Sequence, residues 1–166
     1  RFGPGVDGIG SAIIEKGTPG FEIGPSYRYM NGEFWSPLYF DNCRISKSNI
    51  LLGAGGFKKQ ISGFNIERLG NAARAVAVGR KAFSEACEHA KTRQQFGRDI
   101  CEFQGLQWKF AEMEMRLEAA QLLLMRAVTK ADSDLPSAQD SALAKLAYND
   151  AGFFAANEAL QVMGAL

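Results

Sequence analysis

Three long stretches of the sequence carry apolar residues at helical spacing, and this pattern limits the possible folds more than any other feature. In the second stretch the apolar positions alternate steps of three and four, which is typical of a helix that packs along one face in a bundle. The first and third stretches follow the same period. The residues predicted to face the core are Leu69, Ala72, Ala73, Val76, Phe83, Cys87 and Ala90, then Phe103, Leu106, Phe110, Met113, Leu117, Ala120, Leu124 and Ala127, then Leu143, Leu146, Ala147, Phe154, Leu160 and Met163.

A second apolar row follows another face of the second helix. Trp108, Met115 and Leu122 are seven residues apart and therefore lie one above another on the helix surface. We expect one side of this helix to pack in the bundle and the other side to meet a partner subunit.

The residues before about position 55 have a different character. Residues 9–15, 21–23 and 38–45 have the composition of strands, and glycine-rich or proline-rich turns separate them. Residues 27–37 are aromatic and irregular, which predicts either a surface loop that packs its own aromatic side chains or one wall of a ligand pocket.

The fold class predicted from these patterns is α+β, with a partial antiparallel β domain followed by long antiparallel helices of a four-helix-bundle type. The predicted domains are residues 1–54 and 55–166. The third helix is predicted to follow a break over residues 132–137, with Ser137 as its N-cap. We expect the helical domain to be truncated before its last helices, so that later sequence or another subunit supplies the fourth helix.

Composition excludes several classes of function. The chain has 166 residues, 46% hydrophobic, and a formal net charge of +1, so it can bury a core but lacks the positive charge of a nucleic-acid-binding protein. Three cysteines form no CxxC pair and there is one histidine, so we predict no metal site. No apolar run reaches the roughly 18 residues of a membrane span. These features predict a soluble, intracellular, reduced protein.

The break at residues 93–104 is the strongest candidate for a functional segment. A connection that only reverses the chain needs small polar residues and a glycine, whereas this one carries an arginine, two glutamines and two phenylalanines. Gly97 is predicted to end the first helix. Arg93 either offers a fork of donors to a pyrophosphate or neutralises the carboxyl end of the helix.

Five segments in the same order resemble the acyl-CoA dehydrogenase family. Two of them fall in the β region and three in the helical region, and together they cover nearly the whole chain. The matching residues are Ile14 to Phe21 (IEKGTPGF), Phe40 to Ile45 with Asn49 to Gly53 (FDNCRI and NILLG), Glu67-Arg68-Leu69, Arg93 to Gly97 (RQQFG) with Phe103-Gln104, and Gln161 to Gly164 (QVMG).

This resemblance implies an FAD flavoenzyme that removes hydrogen from the α and β carbons of an acyl-CoA thioester. It implies an electron-transfer flavoprotein as electron acceptor, a homodimer or homotetramer, and a location in the bacterial cytoplasm or the mitochondrial matrix. By the same resemblance, the residues that contact FAD, which is bound mainly by a neighbouring subunit, are Arg93, Gln95, Phe96, Phe103, Gln104, Gln161 and Gly164.

The resemblance leaves the catalytic base open. Most of the family places a glutamate beyond the position where this chain stops, but a minority uses a glutamate at the position of Glu67. Glu67 could also be part of the polar face of a helix. Asn65 and Arg68 match family positions near the CoA moiety, although Asn65 stands where an aspartate is common.

Two departures from the family pattern keep other functions open. The sequence from Tyr29 to Trp35 differs from the usual loop, and Ala165 replaces a glycine. Relatives of the fold also reduce enoyl-CoA compounds or oxygenate other substrates, so the reaction can differ. A helical assembly or interaction module, without flavin, is the alternative from another class.

Overall fold

A computed structural model describes residues 1–131 and 135–165. The chain forms two compact units, Arg1–Gln60 and Ile61–Leu166, whereas the predicted domain boundary lies between residues 54 and 55. The first three residues of the predicted break at 132–137 lie outside the described residues. Within the described residues, no helix is both long and apolar enough to cross a membrane.

The first unit consists of short antiparallel strand pairs. Strand β1 (Ser11–Ala12) pairs with β6 (Ile50–Leu52), β2 (Phe21–Ile23) pairs with β5 (Leu38–Phe40), and β3 (Tyr27–Arg28) pairs with β4 (Phe34–Trp35). The β3–β4 hairpin therefore lies between the two strands of the β2–β5 pair in the sequence.

Two sequence predictions for this unit are wrong. Residues 27–37 contain the β3–β4 hairpin and are not irregular, although the predicted packing of their aromatic side chains on one another is confirmed: Tyr27 stacks on Trp35 with ring centroids 4.9 Å apart. The strand predicted at residues 38–45 stops at Phe40, since Asn42 adopts a positive φ of 44° that an extended strand cannot contain.

The second unit contains three long helices, α1 (Phe57–Thr92), α2 (Gln104–Thr129) and α3 (Ala138–Met163). Lys109 forms an ion pair with Glu158, and Arg126 with Asp140 at 3.1 Å, so α2 and α3 run antiparallel. The predicted N-cap of α3 is confirmed, because the Ser137 hydroxyl accepts a hydrogen bond from the Asp140 amide at 3.0 Å. Short antiparallel strand pairs followed by long antiparallel helices confirm the predicted α+β class.

The buried face of α2 is close to the prediction. Met113, Leu117 and Ala120 are at most 1% exposed, and the flanking apolar residues of the same seam pack against them. Tyr148 of α3 fills the centre of this core, where burial raises the pKa of its phenol while the Arg80 guanidinium opposes that rise. Burial likewise raises the pKa of the Cys87 thiol.

The buried face of α3 differs from the prediction. Leu143, Leu146 and Leu160 were expected in the core but are 42%, 63% and 67% exposed, and Ala73 of α1 is exposed as well. The buried residues are mostly small: Ser141, Ala144, Tyr148, Ala151, Gly152, Ala155, Ala159 and Val162. Small side chains allow α3 to approach α1 closely, so the leucines are left on the outer face.

Glycine is required where α1 and α3 touch. A Cβ atom built on Gly152 would lie 2.6 Å from the carbonyl oxygen of Ala75, and one built on Gly79 would lie 3.0 Å from the Cα of Gly152. Both neighbours are backbone atoms in helices, which cannot move independently of their own hydrogen bonds. The contact therefore fixes the spacing of the two helices.

Substitution of Gly152 by alanine is expected to lower the free energy of unfolding by about 1–3 kcal/mol, because the added methyl group overpacks a helix contact. The matched control is Gly63→Ala in α1, where the described residues leave the new Cβ without a neighbour inside 4 Å. That variant is expected to gain about 0.5–1 kcal/mol from helix propensity. Urea unfolding of both variants measures the difference, and equal stabilities would contradict the close contact.

Candidate functional site

Residues 93–104 form a hairpin and a turn rather than a plain loop. Helix α1 ends at Thr92, β7 (Gln94–Gln95) pairs antiparallel with β8 (Arg98–Asp99), and a single 3-10 turn (Ile100–Glu102) leads into α2. Gly97 does not end α1, so that prediction is wrong. Phe96 and Gly97 have φ values of 54° and 78°, the two positive φ angles that a tight type I′ hairpin turn requires.

Phe96 occupies the tip of this hairpin with an unfavourable backbone conformation and an exposed apolar side chain. A left-handed backbone costs a residue with a Cβ roughly 1–2 kcal/mol. Phe96 is also 92% exposed to solvent, and its ring makes only an edge-to-face contact with Phe103, with centroids 6.2 Å apart. A large apolar side chain held outward in this way is typical of a surface that binds another molecule.

The base of the hairpin is anchored in the helical core. Ile100 is 8% exposed, and its amide donates a hydrogen bond to the carbonyl of Arg93 at 2.9 Å. The side-chain amide of Gln107 donates to the carbonyl of Cys101 at 3.0 Å. The base of the hairpin is therefore held by the helical core, and the tip at Phe96 extends from it.

Arg98 is a residue of this site that the sequence prediction missed. Its guanidinium lies over the ring of Phe103, 4.1 Å from the centroid. The Phe103 ring also makes the edge-to-face contact with Phe96. A cation over an aromatic face holds both groups in place. The only sequence signal was an arginine and a phenylalanine on either side of the 3-10 turn.

Three polar side chains in and next to the hairpin have no partner in the described part of the chain. Arg93, Gln95 and Gln104 are exposed, and no described residue forms a side-chain hydrogen bond or ion pair with them. Their guanidinium and amide groups are therefore available to a ligand. Arg93 also follows Thr92 directly, so it can neutralise the carboxyl end of α1 as well.

Gln161 and Gly164 lie at the same end of the bundle as the hairpin. An apolar groove joins Ala82 and Glu85 of α1 to Leu160 and Met163 of α3, so the two helices finish at the same end. Gln161 is exposed, and Gly164 caps α3 with a φ of 68° and an amide that donates to Leu160 at 3.0 Å.

Asn65, Glu67 and Arg68 lie near the other end of α1. Asn65 is 4% exposed, and both ends of its amide are hydrogen-bonded: Nδ2 donates to the carbonyl of Pro136 at 2.8 Å, and Oδ1 accepts from Arg68 Nη1 at 2.6 Å. Asn65 therefore joins α1 to the segment before α3 and holds Arg68. An aspartate at this position could not donate to the Pro136 carbonyl.

Glu67 is exposed and has no ion-pair partner within residues 1–131 and 135–165. The flank of α1 next to it contains an apolar groove of about 460 Å³ that the sequence prediction missed. Small residues at Gly70 and Ala73 open this groove, and side chains of α2 close its other wall. The residues that line it are Ile66, Leu69, Gly70, Ala73, Leu124, Val128, Ala131 and Pro136.

The two groups of candidate residues are far apart in one chain. From Glu67 to Arg93 the helix rises about 39 Å at 1.5 Å per residue. The hairpin and Glu67 therefore cannot contact the same part of one small molecule within a single subunit.

Comparison with known proteins shows the relationship of this chain. Residues 54–166 match the model of the acyl-CoA dehydrogenase C-terminal domain. An acyl-CoA dehydrogenase of Bacillus subtilis is 36% identical over 163 residues, which are 96% of this chain and 43% of that protein. An acryloyl-CoA reductase (NADH) of Anaerotignum propionicum is 34% identical and is matched over 96% of this chain and 41% of its own length.

Comparison with solved structures agrees with the sequence comparison. The FAD complex of PigA superposes with a TM-score of 0.87 and 30% identity, over 97% of this chain and 43% of that one. The chain thus spans less than half the length of the proteins it matches. Since the family model covers most of the chain, this protein belongs to the acyl-CoA dehydrogenase family.

Proposed function

We propose that this chain is part of an FAD-dependent acyl-CoA dehydrogenase, which removes hydrogen from the α and β carbons of an acyl-CoA thioester. The observation that carries the proposal is the anchored hairpin, which exposes Phe96 close in sequence to Arg93, Gln95 and Gln104, whose side chains have no partner among the described residues. The chain alone, at 43% of the length of the Bacillus subtilis relative, is expected to be inactive.

The distance between the two ends of α1 supports a site shared between subunits. About 39 Å separates the hairpin from Glu67, so the hairpin of one subunit serves the active site of another. This arrangement requires a homodimer or homotetramer.

The residues of the hairpin suit an adenine dinucleotide. Arg93 offers a planar fork of donors to the pyrophosphate, and the Gln95 and Gln104 amides can both donate and accept. Phe96 offers an apolar face to a flat ring, with Phe103 and Arg98 as its support. Gln161 and Gly164 approach from the end of α3. When bound, FAD accepts the hydride from the β carbon.

At the opposite end of α1, Glu67 is the candidate base for the α proton. Its exposed carboxylate has no competing ion pair among the described residues, so a bound thioester can reach it. The alternative is a glutamate in sequence after residue 166. Arg68 is proposed to contact the CoA moiety while Asn65 holds its guanidinium.

The partners follow from the family. An electron-transfer flavoprotein is proposed to take the electrons, in the bacterial cytoplasm or the mitochondrial matrix. Reduction of an enoyl-CoA is the second candidate, favoured by the acryloyl-CoA reductase relative at 34% identity. An assembly module without flavin, the candidate from another class, would cover Phe96 with a partner chain and would bind no FAD.

Two changes at the hairpin test cofactor binding. Arg93→Ala removes the guanidinium, and Phe96→Gly removes the ring while favouring the positive φ of 54°. Arg93→Ala is expected to raise the dissociation constant for FAD about tenfold or more in the full-length protein, since a charge-assisted hydrogen bond contributes roughly 1.5–3 kcal/mol. Phe96→Gly is expected to raise it by a similar factor, since burial of a phenylalanine side chain contributes roughly 1.5–3 kcal/mol. Flavin absorbance after gel filtration measures the retention.

The control for these variants is Phe153→Ala, which removes a ring that is 77% exposed on α3. It is expected to retain FAD like the parent. Parent-like retention in Arg93→Ala and Phe96→Gly together would refute the proposed role of the hairpin.

Glu67→Gln tests the base. If Glu67 abstracts the proton, exchange of the substrate α proton with solvent is expected to fall about 10²-fold to 10⁴-fold across the pH range. Glu88→Gln, a change of an exposed glutamate on the same helix, is the control. Undiminished exchange in Glu67→Gln would exclude Glu67 and point to a base after residue 166, while FAD binding would be unaffected.

A further inference from the structure

Helix α1 carries a guanidinium without a carboxylate partner outside both groups of candidate residues. Most described lysines and arginines of the unit Ile61–Leu166 form ion pairs within it. Arg74 is exposed and forms no ion pair or side-chain hydrogen bond with any described residue. The residues three and four positions away on the helix carry no charge: Gly70, Asn71, Ala77 and Val78. The positive charge of Arg74 is therefore not compensated along α1.

Arg74 shares one face of α1 with Glu67. Seven residues make nearly two full turns, so the two side chains leave the helix in almost the same direction, about 10.5 Å apart along its axis. Asn71 lies between them and is exposed. Gly70 also lies between them, and a Cβ built there meets no described atom within 4 Å. The helix surface between Glu67 and Arg74 is therefore open.

The apolar groove on the flank of α1 runs along the same interval. Its wall on α1 extends from Ile66 to Ala73, and side chains of α2 form the opposite wall. Glu67 directly follows the first residue of the α1 wall, and Arg74 directly follows the last. The groove thus has a carboxylate beside one end and an uncompensated guanidinium beside the other.

Arg68 indicates in which direction a bound thioester runs along α1. Its Nη1 atom donates to Oδ1 of Asn65 at 2.6 Å, which draws this guanidinium back toward the amino end of the helix. The proposed CoA contact therefore lies on the amino-terminal side of Glu67. With the α carbon at Glu67, the acyl chain continues the other way, along the groove and toward Arg74.

We propose that Arg74 binds an anionic group at the far end of the acyl chain, so that the substrate is the mono-CoA thioester of a dicarboxylic acid. A carboxylate matches the planar fork of a guanidinium. The apolar groove takes the methylene groups between the two ends. The carboxylate of Glu67 repels a second carboxylate, so the charged end of the chain is directed to Arg74 alone.

The spacing limits the length of the chain. A charge-assisted hydrogen bond to Arg74 takes up about 2.8 Å of the rise of about 10.5 Å. The rest accommodates about six bonds between the α carbon and the terminal oxygen, since an extended chain advances about 1.3 Å per bond. This length corresponds to an acyl group of about seven carbons, or one or two fewer where the flexible arginine stem reaches back.

The role of Arg74 rests on the proposed function, since that function places the thioester beside Glu67. Thioether analogues of CoA separate the two, because a thioether lacks the carbonyl that acidifies the α proton. A protein that oxidises neutral acyl-CoA thioesters without selecting a carboxylate would overturn only the role of Arg74. A protein that selects the carboxylate but dehydrogenates no thioester would overturn only the proposed function.

Calorimetry of the full-length protein with S-(5-carboxypentyl)-CoA and S-hexyl-CoA tests the selection. The parent is expected to bind the carboxylated analogue about 10-fold to 100-fold more tightly, as for one charge-assisted hydrogen bond. Arg74→Gln is expected to remove this preference by weakening the carboxylated analogue alone, whereas Arg74→Lys keeps the charge and part of the preference. Equal affinities in the parent, or an unchanged preference in Arg74→Gln, would overturn the proposal.

The matched control is Lys145→Gln, which removes an exposed cation of α3 that has no ion pair among the described residues. It is expected to keep the parent's preference, and an equal loss in this variant would assign the effect to net charge and overturn the role of Arg74. Reversal of the charge supplies the second measurement. Arg74→Glu is expected to prefer S-(6-aminohexyl)-CoA over S-(5-carboxypentyl)-CoA, and a retained preference for the carboxylate would also overturn the proposal.

Discussion

The backbone contact between α1 and α3 sets the arrangement of the whole helical unit. With Gly152 against the carbonyl of Ala75, the two helices lie too close for large side chains between them. The core is therefore built from alanines of α3 and from Met113, Leu117 and Tyr148. The leucines of α3 are consequently left outside. The same contact places α3 beside α1, so that the hairpin after α1 lies at the same end as Gln161 and Gly164 of α3.

The length of α1 separates the two groups of candidate residues that the family relationship indicates. A helix of 36 residues carries the hairpin at one end and Glu67, with the Asn65–Arg68 pair, near the other. One subunit cannot bring these groups together, whereas an oligomer can. In the proposed oligomer, the exposed ring of Phe96 is a surface that a neighbouring chain covers. We infer that oligomerisation is a condition for a complete site.

The sequence predicted the α2 seam because large apolar residues recur there at every step of three or four. It failed on α3, since hydrophobicity ranks leucine above alanine while the core required small residues at the close helix contact. The hairpin at residues 94–99 was missed because Phe96-Gly97 lacks the asparagine or aspartate that usually marks a type I′ turn. The motif around Arg93 and Phe96 was recognisable from the family, but the anchoring by Ile100 and Arg98 depends on tertiary contacts.

The most direct measurement of the central claim is the visible absorbance of the purified full-length protein during anaerobic addition of saturated acyl-CoA thioesters. The account predicts a yellow protein with an oxidised flavin spectrum that loses its colour as the thioester is oxidised. A colourless protein that takes up no added FAD would contradict the account. A bound flavin that saturated thioesters of every chain length leave oxidised would contradict the proposed dehydrogenation.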